Sequence, residues 1–245
     1  MVTKQASIMS KRAVILAGGL GTRLRPYTVV LPKPLMPIGK YPILEVVIRQ
    51  LISSGFDHIT LAVNHQADII KAFFGNGDKW GVLIDYSLEQ TPLGTMAPLK
   101  LINDLPEDFL VMNGDILTDL NYTAFYDDHV KGGNIFTISS KQREHRVEYG
   151  VLDSNERGLL TGFREKPSVA YTVSMGVYMV NIKAIDFIPP NTQYGFDTLM
   201  LDLLSANTPP KVRPFDGYWL DIGRPDDYAI AIEEFEAMES KFIND

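Results

Sequence analysis

The chain has 245 residues, 45% of them hydrophobic and 22% charged, with a net charge of −7. That length and apolar fraction suit one large domain with a buried core, and the acidic balance argues against general attraction to nucleic acid or an anionic membrane. There is no cysteine, which excludes disulfides, thiol catalysis and zinc–thiolate sites and is compatible with a cytoplasmic location, and no apolar run approaches the ~20 residues of a membrane span.

Residues 1–10 are expected to form a disordered extension. Lys11 and Arg12 precede an apolar run over 13–17, too short for an export signal, which reads as a buried strand. A Gly/Pro-rich loop then continues to Pro42. Ile43, Leu44, Val47, Ile48 and Leu51 recur at helical spacing, and Gly55 fits the C-cap. Strands are predicted over 58–63 and 82–87 on either side of a helix over 67–74, followed by a helical stretch over 95–101. The strand over 109–112 ends at Asn113-Gly114-Asp115. A helix over 122–131 closes at Gly132-Gly133, and a strand follows over 135–140. The next part is β-rich, with strands at 150–152, 159–164 and 173–180 separated by Gly, Ser and Pro turns. A helix over 197–205, short strands over 212–215 and 218–220 and a last helix over 225–238 complete the chain. Pro225 suits a first helical position, where no N–H is needed. Strand–helix alternation predicts a single-domain α/β sandwich with a largely parallel sheet, whose ligands sit at the carboxyl ends of strands. The loops after Ala17 and at Asn113 are both placed there.

The first loop reads Ala17-Gly18-Gly19-Leu20-Gly21-Thr22-Arg23-Leu24-Arg25-Pro26. Glycines after a strand let backbone approach a phosphate without Cβ clashes. A dinucleotide site would want a third glycine where Leu24 stands, and a P-loop would end in G-K-[ST], which is absent. Arg23, Arg25 and, between two prolines, Lys33 supply cations instead. Arginine offers phosphate a bidentate fork and lysine a compact point charge. An ordinary glycine-rich turn remains the alternative on these residues alone.

This loop, followed by Pro32-Lys33-Pro34-Leu35, resembles the signature of sugar-phosphate nucleotidylyltransferases. The resemblance spans roughly residues 12–228, with motifs closest to mannose-1-phosphate guanylyltransferase-like members. It implies a Rossmann-like, mixed but mostly parallel sheet in an α/β/α sandwich, the nucleotide-diphospho-sugar transferase fold, over residues 11–245. The left-handed β-helix of larger relatives is not expected. The resemblance further implies that the loop, from Leu16 and Ala17 through Gly18, Gly19, Gly21 and Thr22, wraps a nucleoside triphosphate, with Arg23 on its outer phosphates and Lys33 on phosphate as well.

Asp115 ends an apolar strand beside a glycine, and Asp221 ends another in Trp219-Leu220-Asp221-Ile222-Gly223. Mg²⁺ favours one or two carboxylates plus phosphate oxygens and water, and by resemblance the pair shares the catalytic Mg²⁺. An Asx-turn at Asp115 and a helix cap at Asp221 are the plainer alternatives. Glu165-Lys166-Pro167 matches the family element in which lysine holds the sugar phosphate and glutamate accepts from sugar hydroxyls, and Gly150 matches the glycine beside the sugar. Where many members carry Asn-Ala-Gly or Asn-Thr-Gly, this chain has Ser174-Met175-Gly176. Serine is too short for the same bidentate contact, so the sugar is left open. Glu89 and Gly94 stand in Glu-Gln-Thr-Pro-Leu-Gly, which resembles a guanylyltransferase element. A carboxylate suits the N1–H and N2 amine of guanine, which favours GTP. Met96 and Pro98 depart from the usual continuation. Lys141 lies near a substrate-side lysine of relatives, on a weak local match.

The expected reaction joins a nucleoside triphosphate to a sugar 1-phosphate, with no nucleic-acid or membrane partner and with a homo-oligomer open. A thymidylyl- or uridylyltransferase, or a non-catalytic nucleotide-sugar sensor, are the competing readings. The four histidines show no metal-binding or triad spacing and are expected to be structural or on the surface.

Overall fold

Arg12–Leu16 (β1) is apolar after its first residue, and Ala13, Val14 and Ile15 are fully buried. A strand buried on both faces reads as a continuous apolar run, the pattern of a parallel sheet covered by helices on both sides. The computed structural model describes residues 10–64 and 66–243. The extension expected over 1–10 lies outside the described residues, apart from Ser10, whose hydroxyl donates to Asp57 at 2.6 Å.

After β1 come a two-residue hairpin, β2 (Pro37–Ile38) and β3 (Tyr41–Pro42), and helix α1 (Ile43–Ser53). Strand β4 (His58–Val63), helix α2 (Ala67–Phe74) and strand β5 (Leu83–Leu88) follow. Strands β6 (Asp108–Asn113) and β7 (Ile116–Thr118) then lead into helix α3 (Tyr122–Gly132). The β-rich part comprises β8 (Phe136–Arg146), β9 (Val151–Ser154), β10 (Leu160–Arg164) and β11 (Ser168–Asn181). Helix α4 (Phe196–Ser205), strands β12 (Lys211–Pro214) and β13 (Trp219–Asp221) and helix α5 (Pro225–Phe242) come last.

The main sheet has seven strands in the order β12-β8-β11-β6-β1-β4-β5. β1 pairs parallel with β4 and β6, β4 with β5, and β12 with β8, while β11 runs antiparallel to both β6 and β8. On one face Ile15, Leu61, Leu110 and Met112 pack with residues of α1, α2 and α3. On the other, Val14, Val111, Phe136 and Val180 pack with Leu199 and Leu203 of α4. A third cluster joins Phe235 and Phe242 of α5 to Leu24, Met36 and Ile38 of the segment after the glycine loop. The expected α/β/α sandwich with a mixed, mostly parallel sheet is what the chain forms.

The differences from the sequence reading have local causes. Residues 97–101 form only a 3-10 turn, which stops where Ile102 turns extended (φ −98°, ψ 114°). β8 and β11 are longer than predicted: the polar end of β8, Lys141–Arg146, pairs with the exposed Ser168–Val173 of β11 beyond the core sheet. The polar run of β8 lacks the apolar pattern that burial imposes on a strand, so the length of the ribbon was not legible from it. The short pair β7 and β13 matters more for the site. Its register sets Asp221 opposite Ile116, the residue after Asp115.

Candidate active site

The site forms where parallel strands end. The Ala17 N–H donates to Ala62 O at 2.8 Å and the Gly114 N–H to Leu16 O at 3.1 Å, aligning the loops that leave β1, β4 and β6. Together they border a cavity of about 440 Å³, a size suited to a small ligand. Leu16, Ala17, Gly18, Gly19, Arg23, Lys33, Glu89, Gly94 and Asp115 all line it. Gly21 and Thr22 are not among its lining residues. Gly21 has φ +61°, and a Cβ there would lie 3.0 Å from the Thr28 side chain and 3.3 Å from Lys33 Cβ. Its left-handed conformation starts the 3-10 turn Thr22–Leu24 that carries Arg23.

Lys33 is buried between two prolines in the turn Lys33–Leu35, and its ammonium pairs with Asp115 Oδ2. The other oxygen, Oδ1, is buried and has no hydrogen-bond partner among the described residues. Asp221 is brought alongside by β13, and the Ile222 N–H donates to Asp115 O at 3.1 Å. Burial pushes the Asp221 carboxyl above the usual carboxylate range and the charge of Asp115 adds to this, while Lys33 and Arg23 pull it back. Two carboxylates and two cations therefore share one partly desolvated space. Asp221 does not cap the following helix: Arg224 holds the N-cap position of α5, without a side-chain cap bond.

These residues fit a divalent cation. An orphaned carboxylate oxygen and a second carboxylate destabilised by its neighbour both gain from a positive ion. Among the described residues no group of three or more His, Asp or Glu side chains stands ready to hold a metal. Two carboxylates, completed by phosphate oxygens and water, are a Mg²⁺ donor set.

The residues expected on the sugar side, Gly150, Glu165, Lys166 and Ser174, lie outside the lining of this cavity. Gly150 and Glu165 come together: a Cβ on Gly150 would sit 2.7 Å from the Phe163 ring and 3.3 Å from Glu165 Oε2. Glu165 and Lys166 are exposed at the end of β10, and Lys166 has a left-handed φ of +42°. The Ser174 hydroxyl donates to the Tyr178 hydroxyl at 3.1 Å. The Trp219 indole N–H donates to Met175 O at 2.9 Å, tying this strand to the one that ends at Asp221. Gly176, at φ +73°, lets the chain pass Asn113, whose Nδ2 would lie 2.7 Å from a Cβ. Lys141 donates to the carbonyls of Asp216 and Gly217, both at 2.7 Å, bracing the turn before β13.

Asn64, also lining the cavity, escaped the sequence reading, and Asn113, which lines it too, was read only as the start of a loop. The Asn64 amide donates to Gly18 O. Both follow or end a buried parallel strand, and a polar residue at that position was the available signal. Glu89 Oε1 accepts the Leu93 N–H. Of the histidines, His129 is buried between Thr137 and Asp108, and His58 bonds Asp85 at 2.9 Å.

A family model described as nucleotidyl transferase matches residues 12–238. The chain is 34% identical to a UTP–glucose-1-phosphate uridylyltransferase of Synechocystis, over 95% of this chain and 65% of that one. It is 33% identical to a mannose-1-phosphate guanyltransferase of Candida albicans, over 89% and 62% respectively. It thus spans slightly under two thirds of the length of these curated relatives. HddC from Yersinia pseudotuberculosis, solved in complex with GMP-PN, matches at 29% identity and TM-score 0.70, over 92% of this chain and 99% of that one. A putative glucose-1-phosphate thymidylyltransferase from Bacillus anthracis shares the fold, with TM-score 0.72 at 21% identity. No helix among the described residues is long and apolar enough to cross a membrane. From its glycine loop to its last helix, the chain belongs to the nucleotidyl transferase family, among the sugar-phosphate nucleotidylyltransferases.

Proposed function

We propose that the protein transfers a nucleotidyl group from a nucleoside triphosphate, with GTP the leading donor, to a sugar 1-phosphate, releasing pyrophosphate. The observation that carries this reading is the convergence of the glycine loop, Arg23, Lys33 and Asp115 on one cavity, with Asp221 close enough to feel the charge of Asp115.

In the reaction an oxygen of the sugar 1-phosphate attacks the α-phosphorus in line. The new P–O bond forms as the bond to the β-phosphate's bridging oxygen breaks, and pyrophosphate leaves. The attacking phosphate is already ionised near neutral pH, so no general base is required, and the rate rests on positioning and charge stabilisation. The loop from Leu16 through Thr22 holds the triphosphate, Arg23 offsets charge on the departing pyrophosphate, and Lys33 does so nearer the reacting phosphorus. Lys166 binds the sugar phosphate, Glu165 accepts from sugar hydroxyls, Gly150 leaves room for the ring and Ser174 contributes a single hydroxyl. Asp115 and Asp221 would hold Mg²⁺, which when bound neutralises phosphate oxygens and polarises the phosphoryl group.

GTP is supported by relatives named as mannose-1-phosphate guanyltransferases and by the GMP-PN complex of HddC. UTP is the second reading, favoured by the uridylyltransferase relative. The test is a pyrophosphate-release assay crossing four nucleoside triphosphates with a panel of sugar 1-phosphates, with and without Mg²⁺. Release is expected only when both substrates and Mg²⁺ are present, fastest with GTP. Silence across the panel, with tight binding of a nucleotide-sugar, would identify a sensor instead.

A further inference from the structure

Glu89 lies where the cavity meets a smaller groove lined by Leu20, Leu88 and Pro92. To read guanine by its N1–H and N2 amine, a carboxylate must present both oxygens to one base edge. Glu89 does not. Its Oε1 accepts the N–H of Leu93, four residues on, and its own N–H donates to Val63 O at 2.9 Å. Its Oε2 lies against the glycine loop, 3.4 Å from where a Cβ on Gly18 would stand.

The turn that Glu89 closes is held from the other side as well. Leu93 O accepts the Tyr194 N–H at 2.7 Å, so the backbone of one residue is fixed at both its donor and its acceptor. Gly94, at φ +88°, passes so close that a Cβ would lie 2.9 Å from Tyr194 O. That same carbonyl accepts from Met96 and Ala97 at 3.1 Å each, and the Phe196 N–H donates to Thr95 Oγ1 at 2.9 Å. Residues 89–97 thus form a wall stapled to the segment before α4.

We infer that Glu89 is a positioning residue: its carboxylate fixes the turn over 89–94, and the base is chosen by the shape and backbone groups of that wall. The inference rests on the nucleotide-binding reading of this cavity. A brace of this kind serves a guanine or a uracil pocket alike.

Two variants and two readouts test it. Glutamine keeps an acceptor for the Leu93 N–H but loses the charge, so Glu89→Gln is expected to raise KM for every accepted triphosphate by a similar small factor, about threefold, without changing their order. Glu89→Ala removes the brace and is expected to raise all KM values by about tenfold, with kcat less affected. Amide hydrogen exchange at Leu93 should be slow in wild type, nearly as slow in Glu89→Gln and fast in Glu89→Ala. A shift of more than about tenfold in purine-over-pyrimidine preference in Glu89→Gln would overturn the inference and make Glu89 a direct reader. Unchanged Leu93 exchange in Glu89→Ala would also overturn it. If the wild-type protein turned over no triphosphate, the functional reading would fail, yet Leu93 exchange would still decide the role of Glu89.

Discussion

On the nucleotide side of the site, Lys33 is buried and ion-paired, Glu89 is tied to a backbone amide, and loops from three parallel strands are bonded to one another. On the sugar side, Glu165 and Lys166 stand exposed after β10, near Phe163 at 58% and Tyr149 at 79% exposure. The first half is built on the core sheet and the second on a hairpin and ribbon that leave it. Groups fixed before binding lose little freedom when the substrate arrives, whereas groups on an exposed hairpin must be ordered by it. Loss of the buried charges of Lys33 or Asp115 should therefore reach kcat, whereas changes on the proposed sugar side should fall mainly on KM for the sugar 1-phosphate.

The largest effect that separates the halves is expected for Lys33→Ala. It removes the buried counter-ion from two neighbouring carboxylates as well as a phosphate contact, and kcat/KM should fall by about a thousandfold. Steady-state kinetics showing only a KM effect would break the comparison at its stronger end. Lys166→Ala is expected to raise KM for the sugar 1-phosphate by about tenfold to a hundredfold, leaving KM for the triphosphate within about twofold. Gly150→Ala pushes a Cβ toward the Phe163 ring at 2.7 Å. Because that ring is exposed and free to shift, a rise in sugar KM of only about threefold is expected. An equal rise in both KM values would show that the two halves are not separable.

His129 supplies the smallest kinetic effect and a control in neither half. It is buried under the sheet between Thr137 and Asp108, and burial lowers its pKa below the ordinary histidine value, with Asp108 and Asp128 opposing and Lys211 assisting. The unfolded chain then binds a proton more readily than the fold does. This contribution is complete above the ordinary value near 6.5 and is lost as pH falls through it. His129→Gln should lower the thermal midpoint at pH 7 by a few degrees, on the order of 1 kcal/mol for the lost bonds, and flatten the decline in midpoint between pH 7 and pH 5. Both KM values should stay as in wild type.

The comparison also separates what the sequence made legible from what it did not. β1, α1, β4 and α2 were readable because burial imposes a continuous or 3.6-period apolar pattern on them. The glycine loop, Arg23 and Lys33 were singled out by residue type, and the fold brings them to one cavity. The exposed ribbon of β8 and β11 is polar along β8, and its length emerged only from pairing. That Asp221 lies beside Asp115 depends on β13, expected over 218–220, pairing with the three-residue β7, which was too short to leave periodicity. The role of Glu89 was invisible because its partner is the backbone N–H of Leu93, and every non-proline residue offers the same donor.

The central claim is that Asp115, with its buried unpartnered oxygen, belongs to the reacting centre and not merely to a turn. Pyrophosphate release by Asp115→Ala, measured at saturating triphosphate and sugar 1-phosphate with Mg²⁺ present, tests this most directly, with circular dichroism to verify the fold. The expected result is loss of turnover by at least about a thousandfold in a folded protein. Near-wild-type turnover in that variant would contradict the account.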